Sequence, residues 1–124
     1  VVAGLNAIPG IRCKTPGGAF YLFPNIAGVC ESLGAIEAHD SLPAADRERT
    51  SPAGLFQMFL LWRHHVATMD RRSFGRIGSD GQHYLRLSIA TGMEDLKLGL
   101  GRIRAAVADR EGFQRFVKEG EHLW

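Results

Sequence analysis

Residues 82–91, QHYLRLSIAT, place an arginine in the middle of an alternating segment. Leu85, Leu87 and Ile89 recur with the period of two expected of a strand that has one buried face. Arg86 is therefore predicted to lie on a rigid element, on the opposite face. A planar, permanently charged guanidinium held there suits bidentate binding of a carboxylate. The alternative is an edge-strand arginine that faces water or pairs with a nearby acid, and the strand alone favours that alternative.

The first half of the chain reads as short elements separated by proline and glycine. Turn signals at 8–10 and 16–18 precede an aromatic strand at 19–23, which Pro24 is predicted to end. Asn25 is predicted to cap the following helix, whose buried side carries Ile26, Val29, Cys30, Leu33 and Ile36. The polar stretch 39–50 is predicted to be a mobile loop.

The segment 51–62 predicts a helix that is apolar nearly all round. Ser51 can act as the N-cap, and Pro52 suits the first helical position. A helix of this kind must be covered on more than one side. Either a partner domain or subunit covers it, or it is sandwiched within this domain, and the sequence leaves both alternatives open.

The second half predicts a strand at 66–69 that pairs antiparallel with residues 84–90. The glycine-rich, basic connection at 71–81 leads into a strand and not into a helix, so it is read as a hairpin connection and not as a phosphate loop. Thr91 and Glu94 form a capping box for a helix with an apolar stripe at Leu96, Leu100, Ile103 and Val107. Gly99 and Gly101 weaken this helix or allow it to pack closely on the sheet.

Composition narrows the class of protein. The chain has 124 residues, 45% of them apolar, and a net charge of +2, which suits one globular domain and gives no argument for nucleic acid or a membrane surface. Its two cysteines form no disulfide framework, and Cys30 is predicted to pack in the core. The scattered histidines give no metal site, and Ser73 and Ser88 lack the partners that nucleophilic catalysis needs.

Four segments, in order, resemble the C-terminal small domain of class I/II, fold-type I, pyridoxal-phosphate-dependent aminotransferases, the family of aspartate aminotransferase. They are GLNAIPGI at 4–11, PGGAFYLFP at 16–24, VATM at 66–69 with SFG at 73–75, and YLRLSIA at 84–90. The resemblance covers residues 1 to about 107. Where the family has proline and glycine before SFG, this chain has Arg71 and Arg72. This difference leaves open which substrate side chain the enzyme accepts.

The resemblance implies an α+β fold in which a small two- to three-stranded sheet packs with helices. It implies that residues 1–124 are one small domain, with 1–8 the end of a truncated helix and 111–124 a short helical tail. In this family, the arginine at the position of Arg86 binds the α-carboxylate of the amino-acid substrate.

The cofactor implied by the resemblance is pyridoxal 5'-phosphate, bound mainly by a large domain that the chain lacks. The sequence has three lysines, Lys14, Lys97 and Lys118, and none has the family's Ser-x-x-Lys setting. This chain is therefore expected to supply no catalytic or cofactor-binding residue and to be inactive alone. The full-length enzyme is expected to be a cytoplasmic homodimer that transaminates amino acids and 2-oxo acids, without nucleic-acid or membrane partners.

Two alternatives remain open at this point. Another fold-type I enzyme, such as a carbon–sulfur lyase, a decarboxylase or a cyclopropane-forming synthase, would use the same arginine. A free-standing module that binds carboxylates or a protein partner without catalysis is the other alternative.

Overall fold

The computed structural model describes residues 2–14, 21–70, 83–89 and 92–119. The helices are α1 (Val2–Asn6), α2 (Ala27–Leu33), α3 (Ala35–Asp40), α4 (Ala44–Arg49), α5 (Pro52–His64), α6 (Met93–Val107) and α7 (Arg110–Glu119), and the strands are β1 (Tyr21–Leu22), β2 (Met69–Asp70) and β3 (Leu85–Ser88). The α+β class predicted from the sequence is confirmed. None of the helices in these ranges combines the length and apolar character that crossing a membrane requires.

The strands form a small antiparallel sheet in the order β1-β3-β2. Tyr21 lies opposite Ser88 in the first pair, and Met69 lies opposite Arg86 in the second. The antiparallel pairing predicted for the 66–69 and 84–90 segments is confirmed at Met69, but the predicted strand bounds are wrong. β2 is Met69–Asp70, and residues 66–68 are not part of it. Because side chains alternate along a strand, Leu22 and Leu85 are buried on one face of the sheet, while Tyr21 and Arg86 lie on the other.

Pairing around β1 extends further than the sequence indicates. Asn25 forms bridges with both Arg12 and Tyr84, and Leu85 N–H donates to the carbonyl of Pro24 at 3.2 Å. Pro24 therefore does not end the pairing, since a proline lacks only its N–H and its carbonyl can still accept. Residues 19 and 20 of the predicted strand lie outside the described residues.

Helix α5 forms the centre of the domain. Its N-cap is Ser51, whose Oγ accepts a hydrogen bond from Gly54 N–H at 2.9 Å, with Pro52 in the first turn, as the sequence predicts. Phe56 and Phe59 are fully buried, together with most of the helix's first ten residues. Of the two alternatives left open by the sequence, the helix sandwiched within its own domain is correct for this part of α5. Four helices of the same domain, α2, α3, α6 and α7, pack against it. Only its last turn leaves Leu61 and Trp62 about half exposed.

Two predictions in the first half are wrong. The stretch 39–50 is not a loop, because α4 occupies Ala44–Arg49 and His39 belongs to α3. The His39 ring lies 3.1 Å from the carbonyl oxygens of Arg47 and Thr50, a local contact that the polar composition does not indicate. The helix predicted through Ile36 is interrupted at Gly34, whose φ of 78° lies in the left-handed region that glycine tolerates best.

The predicted buried residues of this interrupted helix are largely confirmed. Ile26, Val29, Cys30 and Leu33 are buried, and Ile36 is half-buried against the same core. Asn25 is not the N-cap, which is Ile26, yet the Asn25 side chain accepts a hydrogen bond from Ala27 N–H at 2.9 Å. It therefore satisfies one of the helix's first N–H groups, as a capping residue does.

The start of α6 differs from the predicted capping box. The helix begins at Met93 with Gly92 as N-cap and no side-chain cap, which makes Glu94 the second helical residue and not the third. Thr91 lies outside the described residues. Ile103 is buried, and Leu100 and Val107 pack against the core. A Cβ added at Gly99 or Gly101 would meet nothing within 4 Å, so these glycines do not serve close packing.

Helix α7 adds a second aromatic layer to the core. Phe113 and Phe116 are buried, and their ring centroids lie 5.3 and 5.7 Å from that of Phe59. Arg63 at the end of α5 pairs with Glu119 at the end of α7. Packed aromatic rings and one ion pair therefore join α5 to α7.

Candidate functional site

The sheet holds Arg86 at its centre. β3 lies between β1 and β2, with Arg86 opposite Met69 of β2 and its neighbours Leu87 and Ser88 opposite β1. Its neighbour Leu85 is buried, which fixes the face to which Arg86 points. The edge position considered for Arg86 is therefore wrong, because β3 is the central strand of the described sheet.

One side chain from each flanking strand contacts the guanidinium. The Cζ atom of Arg86 lies 4.2 Å from the centroid of the Tyr21 ring on β1. One terminal N–H of Arg86 donates to the sulfur of Met69 on β2, at an N–S distance of 3.2 Å. Arg86 is half-buried, while Tyr21 is 41% exposed. The cation is thus held on a solvent-accessible face of the sheet.

This geometry suits the binding of a planar anion. A cation within about 6 Å of a ring centroid is attracted by the negative face of the ring, and arginine prefers such stacked positions. The guanidinium carries its donors in a fixed fork that matches the two oxygens of a carboxylate. A carboxylate oxygen is a stronger acceptor than a thioether sulfur. The Arg86 N–H that now donates to Met69 would therefore form a stronger hydrogen bond with a bound carboxylate.

A groove of about 630 Å³ adjoins this arginine, and Tyr21 is common to both. Its described lining residues are Asn6, Arg12, Cys13, Lys14, Tyr21, Leu22, Phe23, Asn25 and Tyr84. Arg12 and Lys14 are exposed cations, and this lining contains no carboxylate. The local potential therefore favours negatively charged ligands near Arg86.

Asn6 is a structural residue of this groove that the sequence pattern does not reveal. Its side-chain amide donates to the Cys13 carbonyl and accepts from Cys13 N–H, both at 2.9 Å. These two bonds attach α1 to the segment beside β1 in the manner of a strand partner. A single asparagine at the end of a helix gives no periodic signal in the sequence. Its partner, Cys13, follows seven residues later, outside any regular helix or strand spacing.

Both cysteines are buried and neither forms a disulfide, and the packing predicted for Cys30 is confirmed. Burial raises the pKa of the Cys13 thiol above its ordinary value. A thiol of raised pKa is largely protonated at neutral pH and is a poor nucleophile. Cys13 is therefore a packing residue of the groove and not a reactive group.

The other sequence candidates do not assemble into a site. The described residues contain no group of three or more His, Cys, Asp or Glu side chains that could hold a metal ion. His64 lies 3.4 Å from the carboxylate of Asp109, a helix-joining contact that the sequence does not indicate. Ser73, Arg71, Arg72 and Arg76 lie outside the described residues, and Ser88 is exposed on β3.

Comparison with known proteins identifies the class to which this arrangement is related. No protein-family model matches the chain. Over 106 residues it is 40% identical to an aspartate aminotransferase of Rhizobium meliloti strain 1021, a match that covers 86% of this chain and 22% of that protein.

Solved structures agree with the sequence match. The crystal structure of the aspartate aminotransferase from Rhizobium meliloti matches with a TM-score of 0.63 at 36% identity, covering 86% of this chain and 23% of that one. An alanine aminotransferase from Pyrococcus furiosus matches with a TM-score of 0.59 at 26% identity, covering 87% and 22%.

The resemblance to aminotransferases predicted from the motifs is confirmed. This chain is related, by sequence and by fold, to the C-terminal part of aminotransferases. It spans about 22% of the length of the curated relatives that it matches.

Proposed function

We propose that this chain is the substrate-carboxylate-binding part of a pyridoxal-phosphate-dependent aminotransferase, and that Arg86 binds the α-carboxylate of the amino acid. The observation that carries the proposal is the position of Arg86 on the central strand, with its guanidinium over the Tyr21 ring on a solvent-accessible face. The relatives named aminotransferases supply the reaction class.

The chain's own part in the reaction is to bind and orient the substrate. Arg86 would donate two parallel hydrogen bonds to the α-carboxylate and so fix the direction of the α-amino group. Arg12 and Lys14, exposed in the adjoining groove, would add to the positive potential that draws an anionic substrate to this face. The chemistry of amino-group transfer between an amino acid and a 2-oxo acid would come from pyridoxal 5'-phosphate in the full enzyme.

The described residues do not fit the cofactor itself. Lys14, Lys97 and Lys118 are all exposed, so none occupies an enclosed position in which a Schiff base would be protected from water. We therefore assign the cofactor pocket and its lysine to a large domain outside these 124 residues. We further propose that the full-length enzyme is a cytoplasmic homodimer and that these 124 residues alone have no activity.

Two alternatives predict different outcomes. A carbon–sulfur lyase of the same fold would release a thiol and ammonia together with an oxo acid, whereas a decarboxylase or a cyclopropane-forming synthase would release no 2-oxo acid from its substrate. Product analysis therefore distinguishes these enzymes from an aminotransferase. A free-standing binding module would bind an amino or oxo acid with these 124 residues alone. Reading the gene upstream of the Val1 codon distinguishes an enzyme of this fold from a free-standing module, since any such enzyme requires an in-frame extension with a Ser-x-x-Lys segment.

The test of the carboxylate role is Arg86→Lys in the full-length enzyme. Lysine keeps the charge but loses the planar fork and the stacking on Tyr21. We expect kcat/KM for the amino acid to fall at least about 100-fold, equivalent to about 3 kcal/mol of transition-state binding. The absorbance of the bound cofactor should not change.

Arg104→Lys is the matched control, because Arg104 is exposed on α6 and far along the chain from the sheet. It should leave kcat/KM within twofold of the unsubstituted enzyme, roughly the precision expected of a neutral surface substitution. Unchanged turnover of the Arg86→Lys enzyme would refute the carboxylate role.

A further inference from the structure

We propose that Tyr21 is a positioning residue that holds the Arg86 guanidinium in place before the carboxylate arrives. The inference rests on the proposed function of Arg86 and assigns a role to a second side chain. Its basis is the 4.2 Å separation between Arg86 Cζ and the Tyr21 ring centroid.

The backbone fixes both partners of this contact. Tyr21 lies directly opposite Ser88 in the β1–β3 pair, and Arg86 is two residues from Ser88 on the same face of β3. Ring and guanidinium are therefore diagonal neighbours across two hydrogen-bonded strands, a distance that aromatic and long side chains can span. The contact does not depend on a flexible loop.

Tyr21 has no role in the hydrophobic core that would explain its presence. It is 41% exposed, whereas its neighbour Leu22 is 1% exposed and belongs to the core. A ring that is 41% exposed gains only part of the stabilisation that full burial would give. Its closest aromatic or ionic contact among the described residues is the guanidinium of Arg86.

Positioning of this kind lowers the entropic cost of binding. An arginine side chain has several rotatable bonds, and an unrestrained one loses that freedom when a ligand binds. With the Tyr21 ring beneath Cζ and the Met69 sulfur at one terminal nitrogen, the guanidinium is restrained from both flanking strands. The effect should appear in substrate binding and not in the chemical steps.

The experiment compares Tyr21→Val, Tyr21→Leu and Tyr21→Phe in the full-length enzyme. Valine suits a strand, and leucine is the second aliphatic variant if valine does not fold. We expect either aliphatic variant to raise KM for the amino acid by about 2- to 30-fold, the range of a cation–π contact, with kcat within twofold. Phenylalanine keeps the ring and should restore KM to within twofold.

Trp62→Leu is the control for removing an exposed aromatic ring. Trp62 is 49% exposed on α5, an element separate from the sheet. This variant should leave both kcat and KM unchanged. An unchanged KM in both aliphatic Tyr21 variants would overturn the positioning role, and so would a lower yield or kcat with unchanged KM, which is the signature of a merely structural residue.

A double-mutant cycle separates this inference from the proposed function. If Tyr21 acts through Arg86, Tyr21→Val should have less than a twofold effect on KM in an Arg86→Lys background. If Arg86→Lys itself leaves KM and kcat unchanged, the carboxylate role fails. If Arg86→Lys impairs binding while Tyr21→Val does not, only the positioning role fails.

Discussion

Aromatic rings serve two different purposes in this domain. In the contact between α5 and α7, Phe59 packs against Phe113 with an interplanar angle of 82°, and both rings are fully buried. On the sheet, Tyr21 and Phe23 are 41% and 47% exposed. The first region gains stability from burial, while the second leaves its rings accessible, with Tyr21 beside the Arg86 cation.

The same comparison applies to two arginines that lie over rings. Arg63 lies 5.4 Å from the Phe116 centroid and pairs with the carboxylate of Glu119. Arg86 lies 4.2 Å from the Tyr21 centroid and donates to a thioether. The contacts of Arg63 join α5 to α7, whereas those of Arg86 lie within the sheet. The two stacked arginines therefore differ in setting, because one joins two helices and the other lies on an accessible face of the sheet.

The largest expected effect is that of Phe59→Ala in the aromatic core. Removing a ring that contacts Phe56, Phe113 and Phe116 leaves a cavity, because the surrounding helices cannot close completely. The free energy of unfolding should fall by about 3–5 kcal/mol, measured by urea denaturation. Phe23→Ala is the matched control on the sheet, and it should cost less than about 1 kcal/mol. Equal losses would contradict the distinction between the two regions.

A smaller effect is expected at the start of the central helix. Ser51→Ala removes the hydroxyl that accepts from Gly54 N–H at 2.9 Å. This change should lower the free energy of unfolding by about 1 kcal/mol, since the cap satisfies an N–H that is buried with it. Ser51→Thr keeps the oxygen and should recover most of the loss in the same denaturation measurement. A neutral Ser51→Ala would show that the α5 terminus contributes little to the core.

The smallest effect has the opposite sign. Gly99→Ala on α6 should raise the free energy of unfolding by about 0.5–1 kcal/mol, because the added methyl group meets open space and alanine favours the helix. Gly28→Ala is the contrasting substitution, since its Cβ would lie 2.6 Å from the Cα of Gly10. It should destabilise the protein, and thermal unfolding of both variants tests the pair. Destabilisation by Gly99→Ala would mean that α6 packs more closely than the structure shows.

The sequence predicts the elements whose signals are local. The period of two around Arg86, and the serine and proline before α5, correspond to the observed strand and helix because alternation and capping act within a few residues. The signal fails where contacts outside a regular helix or strand spacing decide. The polar stretch 39–50 folds into α4, and Asn6 joins the segment at Cys13, neither of which has a spacing pattern.

The candidate site is predictable only in part for the same reason. The strand pattern and the family resemblance both indicate Arg86 as a candidate binding residue, whereas neither indicates that the Tyr21 ring lies beneath it. Tyr21 lies 65 positions earlier in the chain, and its approach to Arg86 depends on the register of β1 against β3. A one-residue shift of that register would place Tyr21 on the buried face. The contact therefore becomes visible only with the structure.

Inhibition by an unreactive carboxylate tests directly whether Arg86 binds the carboxylate of the substrate. Propionate should compete with the amino-acid substrate of the full-length enzyme, and its inhibition constant should weaken at least about tenfold in Arg86→Gln, since the substitution removes a charge-assisted hydrogen-bonded pair. Arg104→Gln should leave that constant unchanged. An inhibition constant that is the same in Arg86→Gln and in the unsubstituted enzyme would contradict the account.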